Sequence, residues 1–341
     1  MKDLSYIPIL PKHLGDLKSH SRNTLCDIQR SVEYLISAGK FKYRNPITVC
    51  GSTAGEQTDY QVLIELDSTN FDFNLTQTNG EDIRFTDSGG DLLDYWIESW
   101  DKLNETAKIW VKVPSIPASP DKTEIFMYYG NPSVSSASDG GATFDAYDDF
   151  ESGFSGWGNH TADYAQSSEQ AYEGTYSVKK TGVDGHDNAI VTKNISSSNC
   201  EVRCKGYTGN SIQNRGGICL NDASDSLKGI RIDIDAQNGY AMLASHDNDA
   251  HVDILVQETG LTVPPDGWFS FRLRYDGTTF YGQIWNPDGS AYSSELSYTT
   301  SQTNGYAGLY GYDSGWYYDL FFVRKYISPE PTVSIGTIEE P

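Results

Sequence analysis

From residue 41 onward the apolar residues of this chain recur at every second position, in short runs cut by Gly, Pro, Asn and Asp. In "AKIWVKVPSI", Ile109, Val111 and Val113 alternate with Lys108, Trp110 and Lys112. That spacing gives a strand one buried face and one wetter face. The runs "YRNPITVCG", "YQVLIELDS", "EDIRFTDS", "LLDYWIESW" and "TEIFMYYGNPS" keep the same habit. Six such runs in about 100 residues predict an antiparallel sandwich. The small, polar stretch 133–143, "SVSSASDGGAT", marks a boundary. Beyond it, twelve further short runs in under 200 residues predict a larger jelly roll. Asp276-Gly277 and Asp288-Gly289 suit its two-residue hairpin turns.

Ahead of the strands lies a different pattern. In 21–39, Leu25, Ile28, Val32, Leu35 and Ile36 fall on one helical stripe, between Asn23 as N-cap and Gly39 as stop. The expected fold is therefore mostly β: two antiparallel β-sandwich (jelly-roll) domains preceded by a short N-terminal helix. Residues 1–40 form an arm and amphipathic helix, 41–144 a small β-sandwich, and 145–341 the jelly roll.

Charge narrows the function. The 341 residues carry a net charge of -22, which excludes a broad footprint for nucleic acid and opposes docking on an anionic membrane. Residues 1–44 alone carry +4, leaving -26 for the remainder. Such asymmetry gives the N-terminal piece a partner of its own, or lets it dock on its own acidic body. No stretch sustains the apolar core of a secretory signal (roughly 7–15 residues) or the roughly 18 residues of a membrane span. Five cysteines, Cys26, Cys50, Cys200, Cys204 and Cys219, argue against a complete disulfide framework. A Cys200–Cys219 or Cys204–Cys219 pair stays open beside buried free thiols, and no histidine completes a zinc pattern.

Two resemblances attach to these runs. The segment Tyr43–Phe144, with "YRNPITV", "DYQVLIEL", "GEDIRFTDSGGDLLDYWIESW", "AKIWVKVPSIP" and "MYYGNPS", resembles a bacterial and archaeal domain of unknown function found in surface-exposed and virion proteins. It implies a fold and no activity. The rest resembles the concanavalin-A-like jelly rolls, of laminin-G and carbohydrate-binding-module kind. "DDFESG" followed by "W", then "AYEGTYSVK", opens it, and "YYDLFFVRKY" closes it.

Carboxylates set the choice between enzyme and binder. The concanavalin-like glucanase pattern is Glu-x-Asp-x-x-Glu. Asp233 and Asp235 in "GIRIDIDAQNG" share a strand face, but no glutamate follows, so they read as a solvated sheet surface. The resemblance implies a structural Ca2+ instead. It would be held by Glu151, with Asp149, by the chain at Glu173 and Gly174, and by Asp319, because calcium takes carboxylate and carbonyl oxygens together. Asp247, Asn248, Asp249 and Asp253 form a second oxygen-rich stretch that reads as a hairpin tip, with His246 and His251 solvated beside it. Sugar recognition uses aromatic faces, and the candidates in turns are Trp316, Tyr317, Tyr312, Trp285 and Trp157. Trp268 reads as a buried strand residue.

The expected function is that of a non-enzymatic structural and adhesion protein on a virion surface, tail or capsid, or on another extracellular surface. Its jelly roll would bind glycan or protein. Its arm, 1–40, would meet neighbouring virion or surface proteins and other copies of the chain as a homo-oligomer. A cell-surface carbohydrate-binding adhesin is the first alternative, and a glycoside hydrolase or polysaccharide lyase the second.

Overall fold

The computed structural model describes residues 41–159, 161–181, 189–208, 215–222, 228–247, 251–262, 267–286, 288–302, 304–312 and 314–340. The arm and the helix expected at 21–39 lie outside them, as do Asn248 and Asp249.

Seven strands open the described chain: β1 (Tyr43–Cys50), β2 (Gln57–Asp67), β3 (Arg84–Asp87), β4 (Leu92–Leu93), β5 (Tyr95–Asp101), β6 (Thr106–Ile116) and β7 (Lys122–Tyr129). A short helix, α1 (Gly140–Thr143), follows, its first turn capped by the Asp139 carboxylate at the Ala142 N–H. Then come β8 (Ala146–Asp148), β9 (Tyr164–Ser167), β10 (Ser177–Lys180), β11 (Ala189–Asn194), β12 (Cys200–Tyr207), β13 (Arg215–Asn221), β14 (Gly229–Asp235) and β15 (Tyr240–Asp247). The chain continues through β16 (His251–Glu258), β17 (Trp268–Tyr275), β18 (Thr279–Trp285), β19 (Leu296–Thr299), β20 (Tyr306–Gly311), β21 (Tyr317–Lys325) and β22 (Thr332–Ile335). Among the described residues no helix is long and apolar enough to cross a membrane.

The small sandwich packs a sheet of order β22-β1-β7-β3-β4 on one of order β2-β6-β5. Ile47, Val49, Ile125 and Met127 of the first meet Val62, Ile64, Ile109 and Val111 of the second in one core. The jelly roll packs an eight-stranded sheet, β19-β18-β17-β12-β21-β10-β9 with β8 on β21, against a six-stranded one, β11-β20-β13-β14-β15-β16. Val202, Phe271, Leu273 and Val323 there face Ile218, Ile232, Leu243 and Leu309. The Asp276-Gly277 hairpin forms as expected: Gly277 takes φ +98° and the Asp276 carboxylate accepts the Thr278 and Thr279 N–H groups. Among the described residues, no disulfide joins Cys50, Cys200, Cys204 and Cys219 to one another.

Two expectations are corrected. The division at 145–341 fails at its far end, because β22 leaves the jelly roll and pairs with β1, Ile47 opposite Ile335 and Cys50 opposite Thr332. The wetter face of β6 is not wet at Trp110, which is 1% exposed. That face is where the two domains meet. Trp96, Trp110 and Phe144 pack on Leu320 and Phe322 of β21. Beside them the Arg324 guanidinium donates to Glu201 Oε1 at 2.9 Å and to both oxygens of Glu330, which also accepts the Tyr60 hydroxyl. A fully buried arginine is tolerated only with such complete pairing. Burial pushes the Glu201 carboxyl up, but the guanidinium groups of Arg203, Arg324 and Arg272 hold it well below its ordinary range.

Candidate ligand-binding face

Every residue of β14 is buried, although only one side of its sheet meets the main core. Ile230, Ile232 and Ile234 point into that core. Alternation puts Arg231, Asp233 and Asp235 on the other side. The pairings place Cys219 and Ala244 beside Arg231, Gly217 and Met242 beside Asp233, and Asn221 and His246 beside Gly229. From β20, Tyr310 comes opposite Gly217.

The polar groups pair within this face. Arg231 Nε donates to Asp233 Oδ2 at 2.5 Å, with its guanidinium 4.0 Å from the Tyr310 ring centroid. Arg215 Nε donates to Asp235 Oδ2 at 2.8 Å, and Asp235 also accepts the Asn238 backbone N–H. His246 Nε2 lies 3.1 Å from Asn221 Oδ1. Gly229 makes that contact possible, since a Cβ there would fall 2.6 Å from Asn221 Oδ1 and 2.7 Å from His246 Cε1. Burial, with help from the Arg231 charge, holds the His246 imidazole down at about 3, so it is neutral. Burial pushes the Asp233 carboxyl up, against the pull of Arg231.

The pairing is incomplete. Among the described residues, Asp233 Oδ1, Asn221 Nδ2, His246 Nδ1 and the Tyr310 hydroxyl are buried without a hydrogen-bond partner. Each such group costs about 1–3 kcal/mol, so four on neighbouring strands call for a cause. Together they offer donors and acceptors in alternation. Sequence reasoning misses this face by treating Asp233 and Asp235 as solvated and His246 as exposed. Asp233 is 0% exposed and His246 3%. The available signal is charge order: Arg231 and Asp233, two apart on one strand, present opposite charges to the same side.

The aromatic candidates do not form a platform. Trp316 is 0% exposed, stacked on Tyr318 with centroids 6.1 Å apart, in a slot that Gly216 leaves open. Tyr317 is buried and its hydroxyl donates to Glu169 Oε2. Trp157 is buried and donates to Asp148 Oδ2. Tyr312 stays half-buried with the Arg215 guanidinium 5.9 Å from its ring centroid, beside the polar face. Trp285 is half-buried on the other sheet, under Arg272. Trp268 departs from the buried reading: it is half-buried on the outer side of β17, against Tyr172 and Tyr207.

The acids expected to hold Ca2+ do meet. Glu151 Oε1 accepts the N–H groups of Thr175 and Tyr176 at 2.8 and 2.7 Å. Gly174, at φ +66°, lies so close that a Cβ would fall 2.5 Å from that oxygen. Asp319 Oδ2 accepts the N–H groups of Tyr172 and Glu173, and Oδ1 that of Leu320. Burial pushes the Asp319 carboxyl up to about 7, the backbone N–H groups pulling it back and Glu151 adding to the rise. Glu173 is raised by desolvation, then by Asp149 and Glu151. The donors are the hard oxygens calcium takes. Yet among the described residues no three His, Cys, Asp or Glu side chains converge to hold a metal ion, and the facing oxygens already accept N–H groups. In this structure the facing oxygens of Glu151 and Asp319 cap backbone N–H groups. A cavity of about 590 Å³ lies elsewhere, between loop 68–75 and residues 335–338 of the small sandwich.

Comparison with known proteins gives limited matches. The family described as Domain of unknown function (DUF2341) matches residues 79–160. No curated protein matches the chain. Among solved structures, the carbohydrate binding module CBM66 from Bacillus subtilis is 13% identical with a TM-score of 0.40, over 50% of this chain and 96% of that one. The CBM2 module of Lactobacillus casei BL23 phage J-1 evolved Dit is 10% identical with a TM-score of 0.37, over 57% and 96%. Bacteroides ovatus Xyloglucan PUL GH43B is 13% identical with a TM-score of 0.39, over 72% and 53%.

Proposed function

We propose that the chain is a non-enzymatic binding protein whose jelly roll takes a hydroxyl-rich ligand, a glycan, on the polar face of its six-stranded sheet. The observation that carries this reading is the set of four buried, unpartnered polar atoms of Asp233, Asn221, His246 and Tyr310. Sugar hydroxyls donate and accept at once, as those atoms require. The Arg215–Tyr312 end is the solvent-facing end of this face, the Arg215 side chain being 31% exposed. Asp233 and Asp235 are each held by an arginine, which favours recognition over bond cleavage. The charge split between residues 1–44 and the rest supports the second half of the proposal. There, residues 1–40 anchor copies of the chain on a larger assembly, a virion surface or tail or a cell surface.

A glycan array probed with the full chain tests the binding reading. We expect binding to a defined set of neutral glycans, weakened about tenfold by Asn221→Ala and by His246→Ala, the loss of one hydrogen bond each. A blank array, or variants that bind as the parent does, would overturn it.

A further inference from the structure

The outer side of the eight-stranded sheet holds a second site, independent of the polar face. Arg272 and Arg274 stand two apart on β17, on the side away from the core. Across β18 they face Gln283 and Tyr281, and across β12 they face Arg203 and Glu201. The Arg272 guanidinium lies 4.6 Å from the Trp285 ring centroid, and that of Arg274 lies 5.5 Å from Tyr281 and 5.0 Å from Tyr326. Aromatic faces fix both planes and leave the charge in place.

Their anionic company is thin. Glu201 pairs through Oε1 with Arg203 and Arg324, and its charge reaches Arg272 without a hydrogen bond. Both Arg272 and Arg274 therefore turn to one oxygen, Oε2 of Glu295, through their Nη2 groups. Among the described residues, their Nε atoms are buried with no hydrogen-bond partner. The two arginine side chains are 18% and 15% exposed, and Glu295 is 37% exposed. In a chain of net charge -22, two adjacent guanidinium groups share a single, solvent-facing carboxylate. Burial, and the like charges of Arg274 and Arg203, lower the Arg272 pKa, while Glu201 and Glu295 oppose them. A carboxylate that offers both oxygens to the two guanidinium groups would match them better than the single Oε2 oxygen of Glu295.

We infer that Arg272 and Arg274 form a subsite for the carboxylate of an acidic sugar, a uronic acid, whose ring lies against Trp285. The Glu295 oxygen marks where the sugar carboxylate sits, and the ligand displaces it. Planar guanidinium groups recognise carboxylates bidentately, which a lysine cannot reproduce. The half-buried indole beside them, with the Gln283 amide, suits a pyranose better than a bare acidic peptide.

Titration calorimetry on the full chain at low ionic strength, with trigalacturonate as probe, tests this. Galactotriose and triglutamate serve as controls. Trigalacturonate binds, and galactotriose and triglutamate bind at least tenfold more weakly. Arg272→Gln and Arg274→Lys each weaken binding about tenfold, and Glu295→Gln tightens it severalfold. Glu295 is exposed, so its variant keeps the test decisive should an arginine variant fail to fold. Absence of trigalacturonate binding, equal binding of galactotriose, or an unchanged affinity in Glu295→Gln overturns the site. Equal binding of triglutamate overturns the sugar assignment in favour of an acidic protein segment.

Discussion

Asp233 and Asp235 each face an arginine of their own sheet, whereas Asp319 and Glu173, at the edge of the other sheet, face acids and backbone N–H groups. Asp233 and Asp235 come from "RIDID" and read in sequence as solvated charge, whereas Glu173 and Asp319 come from "AYEGTYS" and "YYDLFFV" and read there as calcium ligands. The difference lies in what neutralises them. A guanidinium at 2.5 Å pulls the Asp233 carboxyl down against the burial that raises it, and makes each partner depend on the other. Burial raises the Asp319 carboxyl and amide dipoles offset only part of that rise, so it keeps a proton within reach of physiological pH.

The strongest break of this comparison is Arg231→Met. It leaves Asp233 buried without its cation and lowers unfolding free energy by about 3–5 kcal/mol in urea titrations. Pairing it with Asp233→Leu recovers most of the loss. A double variant as unstable as the single would show that the pair is not compensatory.

The edge should respond to pH instead. The Asp319 carboxyl sits at about 7, above its ordinary 3.8. An acid that holds its proton more tightly when folded contributes stability that is complete below about pH 4 and is lost as pH rises through about 7. The shift corresponds to ~4 kcal/mol at most. Asp319→Asn should therefore remove roughly 3 kcal/mol of the fall in stability between pH 4.5 and 7.5. A slope equal to the parent's would mean that the proton is not bound there. The smallest effect concerns calcium. With the facing oxygens already accepting N–H groups, millimolar Ca2+ at pH 7.5 shifts the melting temperature by less than about 1 °C. A rise of several degrees would show that the edge recruits further oxygens into a cation site.

Much of the architecture was legible because period-two alternation is a direct consequence of one-sided burial. It gave the sandwich-like β architecture and hairpins such as Asp276-Gly277. Alternation is silent about what covers a strand's second face. Trp110 was read as wetter because its neighbours Lys108 and Lys112 are exposed or half-exposed, while the indole itself meets Phe144 and Phe322 of another region. Trp316 was placed on a turn because Gly315 precedes it, yet the empty space over Gly216 admits its ring into the core. The Glu151-to-175 link was legible through the "DDFESG" and "EGTYS" stretches. Their use of amide hydrogens was not, since backbone direction is set by the fold.

The pairing of β22 with β1 has a mechanical consequence. The Arg44 backbone N–H donates to the Glu339 carbonyl, and the Glu339 N–H to the Arg44 carbonyl, so the chain enters and leaves the described fold side by side. Tension applied through those two points would peel an antiparallel ladder open one bond at a time, at low force. The jelly roll, spliced between them, would carry no load until the small sandwich had given way.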